Sequence, residues 1–80
     1  MPFLTIQFGL SGPGQPELVD CLRSLGAESI QIAQGLCVNS PLAEKELAAA
    51  LESKGLRGAA IGPLPDPLPD DVRAFTERAS

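Results

Sequence analysis

The sequence predicts a small α+β domain in which helices cover a four-stranded antiparallel sheet. Short segments at 3–10, 28–34 and 36–39 alternate apolar and polar residues, as half-buried strands do. Two longer segments carry apolar residues at helical spacing, and a glycine ends each of them. The chain has 80 residues with three Phe and neither Trp nor Tyr, so we expect one domain with a small aliphatic core.

The first strand is predicted over residues 3–10, and a helix follows it after a loop. The apolar side of this strand consists of Leu4, Ile6, Phe8 and Leu10. The glycines and the proline within residues 11–15 favour a turn. Pro16 suits the first helical turn, where its missing N–H leaves no hydrogen bond unmade. Gly26 ends this helix, whose apolar stripe is Leu18, Cys21, Leu22 and Leu25.

Two strands joined by a tight turn at Gln34 and Gly35 are predicted next. In the first of these strands, we expect Ile30 and Ile32 to point toward the helices. The second strand covers residues 36–39, where Leu36 and Val38 alternate with polar or small residues.

A second helix is predicted after this hairpin. Ser40 followed by Pro41 is typical of a helix start, because the hydroxyl can cap the first turn and proline is tolerated there. Residues 43–54 are rich in helix formers, and Gly55 follows them as a stop. The small residues of 57–62 indicate a short fourth strand, in close packing or at a sheet edge.

The tail has a different composition. Prolines at alternating positions from 63 to 69 cannot pair as a central strand, so this run should be extended. Asp70 and Asp71 can cap a last short helix and are more typical of a cap than of a metal site. Strand, helix, strand, strand, helix, strand is the ferredoxin-like order. The prediction is a ferredoxin-like βαββαβ domain over residues 1–62, with two helices on one sheet face, and a Pro-rich C-terminal arm over 63–80.

One face of the predicted sheet carries almost no charge. Residues 1–16 and 29–43 contain no Asp, Glu, Lys or Arg, and residues 55–65 contain only Arg57. The face turned away from the predicted helices consists of Phe3, Thr5, Gln7, Ser29, Gln31, Ala33, Cys37 and Asn39. A small, neutral surface of this kind is typical of a face that meets another surface. We therefore expect it to be the contact of a homodimer.

The arm repeats apolar residues at regular intervals, at Leu64, Leu68, Val72 and Phe75. This spacing favours an arm that docks, either on its own domain or on a second subunit. The prolines favour docking as well, because a stiff segment loses less conformational entropy when it binds a surface. The alternative is a solvated end, because chain termini usually fray.

Composition excludes several classes of function. A net charge of −4 and a pI near 4.5 argue against nucleic acid as the partner, because that binding depends on Lys and Arg. Without His, the chain cannot form a Cys–His or Ser–His pair, and we expect no metal and no cofactor. Cys21 and Cys37 lack metal-ligand spacing and fit free thiols in a reducing cytoplasm, with a disulfide between helix and sheet as the alternative. Neither a leader nor a membrane span is predicted.

The first loop has two interpretations. Residues Ser11, Gly12, Pro13 and Gly14 precede a helix N-terminus, where free N–H groups can hold an anion. They lack the spacing of a dinucleotide fingerprint and include no Lys for a phosphate, so a connecting turn is favoured. Ligand-binding ACT domains share the strand order and place Pro-Gly before their first helix, which keeps a small-ligand sensor as an alternative.

The run from Leu4 to Gly14, the spacing of Leu18, Leu22 and Gly26, and residues 30–47 resemble one family of small proteins. The proteins of this group are similar to the CRISPR-associated endoribonuclease family, and they include GhoS-type antitoxins and SinR-like proteins. The likeness covers residues 3–61 and implies a ferredoxin-like dimer. Nucleases of this group carry an Asp near the end of the first strand, which binds metal in the dimer. Gly9 stands at that place here, so no catalytic residue carries over.

Together these patterns predict a non-enzymatic binding or regulatory protein, of the antitoxin or inhibitor kind. We expect it to be cytoplasmic and to act as a homodimer through protein–protein contacts. The alternatives are a metal-dependent endoribonuclease of the resembled family and a small-ligand-binding regulatory domain of ACT type.

Overall fold

The computed structural model describes residues 3–7, 14–33 and 35–79 of the chain. The elements along the described residues are β1 (Phe3–Gln7), α1 (Gln15–Ser24), β2 (Glu28–Ile32), β3 (Gly35–Asn39), α2 (Glu44–Ser53), β4 (Ala60–Gly62) and α3 (Asp70–Ala79). The strands form one antiparallel sheet in the order β2-β3-β1-β4. The predicted α+β class and its four-stranded antiparallel sheet are confirmed.

The main core lies between the sheet and the helices α1 and α2. β1 contributes Leu4 and Ile6 to it, and β3 contributes Leu36 and Val38. The helices contribute Leu18, Cys21, Leu22, Leu47 and Leu51. Burying each Leu or Ile contributes about 1.5–3 kcal/mol relative to leaving it exposed. This layer therefore supplies most of the apolar burial of the domain.

Both of these helices end in the same way, at the glycines that the sequence indicated. Gly26 has a φ of 84° and Gly55 has a φ of 81°, a left-handed conformation that favours glycine. In each case, the amide of the next residue donates to the carbonyl oxygen five residues earlier, at 2.9 Å. These bonds satisfy helix carbonyls that have no partner within the helix.

The start of α2 differs from the prediction. The helix begins at Glu44, and its N-cap residue, Ala43, makes no side-chain cap bond. The Oγ of Ser40 instead accepts a hydrogen bond from the amide of Leu42, at 3.0 Å. A serine that bonds its own chain two residues on stabilises a turn in place of a helix start. The Ser-Pro pair is therefore part of the connection between β3 and α2.

The side chains of β2 point to the opposite faces from those we expected. Ile30 pairs with Cys37, and both belong to an apolar cluster on the far side of the sheet from α1 and α2. Gln31 pairs with Leu36, and its Oε1 accepts a hydrogen bond from the Nε2 of Gln15 in α1, at 3.0 Å. The expectation for this strand was wrong because a regular alternation shows which residues share a face but not which face is covered.

Helix α3 packs on that far side of the sheet, beside β2 and β3. Val72 and Phe75 are buried against Cys37, and the ring of Phe75 meets that of Phe3 edge to face, with centroids 6.1 Å apart. Leu64 and Leu68 pack against the same cluster from the segment that precedes α3. The sheet is thus covered by α1 and α2 on one face and by α3 on part of the other.

Candidate functional site

The neutral sheet face consists of side chains from β1 and β3 that point away from α1 and α2. Phe3 pairs with Asn39, and Thr5 pairs with Cys37, so these four side chains share the face. The chain itself covers most of this surface: Thr5, Cys37 and Asn39 are buried and Phe3 is half-buried. The absence of charge therefore reflects a face that meets another surface, and in this structure that surface is the chain's own α3.

Cys37 lies beneath α3. Its side chain is fully buried, and burial, with a smaller contribution from the charge of Asp71, raises the pKa of the thiol. A protonated, buried thiol is unreactive at neutral pH. Cys21 is also a free, buried cysteine, but it lies in the main core on the other side of the sheet.

The amide side chain of Asn39 is the polar group on this face that stands out energetically. Asn39 is 5% exposed, and its Oδ1 is buried without a hydrogen-bond partner among the described residues. An unsatisfied buried acceptor costs about 1–3 kcal/mol. A donor that reached this oxygen would remove that cost.

Thr5 fixes the place where the chain leaves β4 for the far face. Its hydroxyl donates to the carbonyl oxygen of Pro63 at 2.9 Å and approaches that of Gly62 at 3.4 Å. Proline has no N–H with which to continue a strand, so the carbonyl groups of this segment need donors from elsewhere. Thr5 supplies one and directs the Pro-rich segment toward α3.

Replacing Thr5 with Val, which has nearly the same shape, should therefore lower the free energy of unfolding by about 1 kcal/mol. Urea denaturation of Thr5→Val beside Thr76→Val would measure it. Among the described residues, the Thr76 hydroxyl donates to the carbonyl oxygen of Arg73 within α3, and this hydrogen bond is exposed to solvent, so we expect a smaller loss there. Equal losses in the two variants would contradict the role of Thr5.

Three residues of the predicted face lie elsewhere. Ser29 pairs with Val38 of the main core and therefore lies on the α1 side of the sheet. Gln31 is exposed on the α1 side of β2, as its bond with Gln15 shows. Ala33 is exposed in the turn after β2. It lines a cavity of about 340 Å³ together with Gln7, Ile32, Gly35, Pro65 and Pro69. Ser29 and Gln31 were assigned to the neutral face because the direction of the β2 side chains was inverted, and Ala33 was assigned to it because the strand was expected to continue past Ile32.

The loop predicted as a turn or an anion site falls largely outside the described residues. Ser11, Gly12 and Pro13 are among those not described. Gly14 is described and is the N-cap residue of α1, with an extended backbone and no side-chain cap. The helix that follows carries Pro within its first two residues, as expected.

The four apolar residues assigned to the arm all contact the same cluster of the sheet. Val72 and Phe75 are buried in it, while Leu64 and Leu68 are partly buried at its margin. Their partners on the sheet are Phe3, Ile30, Ile32 and Cys37. In this structure the contact lies within one chain.

The surface that sequence reasoning did not identify as a site lies around β4, at the edge of the sheet. On the α2 side, a cavity of about 260 Å³ is lined by Ala48, Leu51, Glu52, Leu56, Arg57, Gly58, Ala59 and Ile61. Leu56, Ala59 and Ile61 are partly buried and pack against the main core. The core is therefore open to solvent here. We name this cavity the α2–β4 groove.

A second cavity flanks the same strand on the other sheet face. It has a volume of about 200 Å³ and is lined by Thr5, Gln7, Ala60, Ile61, Gly62 and Pro63. β4 is thus an edge strand with a depression on each side. The sequence signal for this was the run of small residues in 57–62, which indicated close packing or an edge without distinguishing them.

Within the described ranges, His, Cys, Asp and Glu side chains do not gather in threes that could hold a metal ion. In the same part of the chain, each helix is too short or too polar to cross a membrane. Comparisons of the chain with protein-family models, with curated proteins and with solved structures found no match.

Proposed function

We propose that this chain is a small, non-enzymatic binding protein that acts as a homodimer through protein–protein contacts, as a regulator of the antitoxin or inhibitor kind. We also propose that its domain is ferredoxin-like. The βαββαβ succession, with β1 and β3 in the centre of the sheet, supports that assignment. Two free, buried thiols support a reducing, cytoplasmic setting.

The observation that carries the proposal is the α2–β4 groove beside an open sheet edge. On folding, a chain of 80 residues buries a smaller share of its surface than a larger domain does, so its folded state has little stability to spare. Apolar side chains that stay at the surface add nothing to that stability. In the groove, Leu56, Ala59 and Ile61 remain partly exposed although they pack on the core. Contact with another polypeptide would complete the burial of these side chains.

The location of this groove changes the surface through which a homodimer would form. The neutral face was the first candidate, but α3 occupies its β2–β3 side within the chain. The β1–β4 side of that face ends at the edge strand β4. The contact proposed here is therefore with the β4 end of the sheet, where backbone groups and apolar side chains are both accessible.

Sedimentation equilibrium and light scattering over low to high micromolar concentrations test the oligomeric state. We expect a reversible monomer–dimer equilibrium with a dimer at the upper end of this range. A protein that stays monomeric at high micromolar concentration would overturn the homodimer.

An RNA cleavage assay with and without magnesium or manganese tests the non-enzymatic part. We expect no cleavage above background. Metal-dependent cleavage that survives repeated purification, and that disappears when a carboxylate of the chain is replaced, would establish an enzyme instead.

A further inference from the structure

The outer edge of β4 presents backbone groups that no strand of the described chain pairs. β4 consists of Ala60, Ile61 and Gly62, and its register partners all belong to β1. An edge strand of this kind pairs most readily with another extended backbone, which offers N–H and C=O groups at the matching spacing. The flanking cavities leave room on both faces for the alternating side chains of an added strand.

Helix α2 lies next to β4 on the core side and presents small residues outward. Ala48 and Ala49 are exposed near the middle of the helix, and Ala48 also lines the α2–β4 groove. Helices with alanine at the point of contact can approach closely, because the distance between two helix axes depends on the side chains between them. The middle of α2 therefore suits contact with a second helix.

The two ends of the α2 segment carry opposite net charge once the residues that directly follow the helix are included. The helix starts with Glu44, Lys45 and Glu46, and the other end has Glu52 in the last turn, then Lys54 at the C-cap and Arg57 beyond the helix in the groove lining. The first group sums to one negative charge and the second to one positive charge. Two such helices side by side are complementary when they run antiparallel and repel at both ends when they run parallel.

We propose that the partner at this edge is a second copy of the chain, with β4 paired antiparallel to β4 across a two-fold axis and the two α2 helices antiparallel beside each other. A two-fold axis normal to the sheet reverses the direction of β4 and of α2 in the second copy and keeps both α2 helices on the same sheet face. The two β4 strands and the two α2 helices are therefore both antiparallel. It also sets the acidic start of each α2 beside Lys54 and Arg57, which follow the α2 of the other copy. The interface specifies the homodimer proposed above and depends on it.

The required area also favours joint use of the strand and the helix. A standard interface buries about 800 Å² from each partner, about one sixth of the 4903 Å² that this chain exposes. Three strand residues span only about 10 Å and cannot supply that area alone. The groove and the exposed side of α2 adjoin the strand and extend the contact.

Four lysine substitutions at exposed positions test the assignment. Ala60→Lys in β4 and Ala48→Lys in α2 each place a cation at the interface twice, once from each copy. Gln31→Lys in the opposite edge strand β2 and Ala74→Lys in α3 add the same group to surfaces outside the interface. Circular dichroism melts would verify that all four variants fold. The dimer dissociation constant of each would come from sedimentation equilibrium.

We expect Ala60→Lys and Ala48→Lys to raise the dimer dissociation constant by roughly tenfold or more, and Gln31→Lys and Ala74→Lys to leave it within about twofold. A dimer that tolerates both interface variants, or that weakens in Gln31→Lys or Ala74→Lys instead, overturns this interface and leaves the homodimer standing. A wild-type monomer overturns the homodimer and this interface with it.

Discussion

Replacing Phe75 with alanine should lower the free energy of unfolding by about 3–5 kcal/mol. The ring is 5% exposed and is buried in the cluster that joins α3 to the sheet, where it also meets Phe3 edge to face. Truncation removes this apolar contact and leaves a cavity beside Cys37. Urea denaturation followed by circular dichroism would measure the loss, which is large against the 5–15 kcal/mol that holds a typical domain together.

Cys37 offers a second readout of the contact between α3 and the sheet. Its thiol lies beneath the helix, so a thiol reagent can reach it only when α3 lifts or the whole chain unfolds. In a Cys21→Ser background, Phe75→Ala should label faster at Cys37 than the parent does. Arg73→Ala, which changes an exposed position of the same helix, serves as the control. Unchanged labelling and unchanged stability in Phe75→Ala would show that α3 is not held on the sheet.

Replacing Gly35 with alanine should destabilise the centre of the sheet by about 1–3 kcal/mol or more. A Cβ at this position would lie 2.6 Å from the carbonyl oxygen of Ile6 and 3.2 Å from the Cα of Gln7. Both atoms are backbone atoms of β1, which lies in the middle of the sheet and pairs with β3 and β4. Relief of the contact would require β1 and β3 to move apart, which would weaken their hydrogen bonds.

Gly62→Ala is the matched control for this prediction. A Cβ at Gly62 meets no atom within 4 Å, so the substitution changes the same residue type in the same sheet without a steric contact. We expect no loss, or a gain of about 0.4–1 kcal/mol from a less flexible unfolded chain. Thermal and urea denaturation of the two variants in parallel would separate the effects. Equal stability of Gly35→Ala and Gly62→Ala would mean that β1 and β3 do not approach as closely as described.

Local sequence patterns predicted the positions of the helices and strands more accurately than they predicted which elements contact one another. Gly26 and Gly55 marked two helix ends correctly, because a left-handed residue at that position is a local requirement that glycine meets best. The start of α2 was wrong by a few residues, since Ser40 bonds within a turn and not at a helix cap. Ser40 lies three residues before the N-cap residue Ala43, and a Ser-Pro pair looks the same in the sequence whether its hydroxyl bonds within a turn or caps a helix.

The sequence indicated the edge strand of the α2–β4 groove but not the groove itself. Small residues from 57 to 62 suggested an edge, and β4 is the edge strand next to α2. The groove itself combines α2 residues with residues that follow that helix and with Ile61 of β4. Its shape follows from how closely the helix packs on the strand, and no local pattern of residues encodes that distance.

The sequence by itself determined that β1, β2 and β3 alternate, and the lack of charge on one side of β1 and β3 predicted that this side meets another surface. Only the tertiary structure decided what that surface is and which way β2 points. Alternation has a period of two, so it is equally compatible with either face being covered until a distant segment packs on one of them. Here Val72 and Phe75 of α3 cover the face that carries Ile30, Ile32 and Cys37. Contacts between residues more than thirty positions apart made that choice, and such contacts leave no periodic signal in the strand itself.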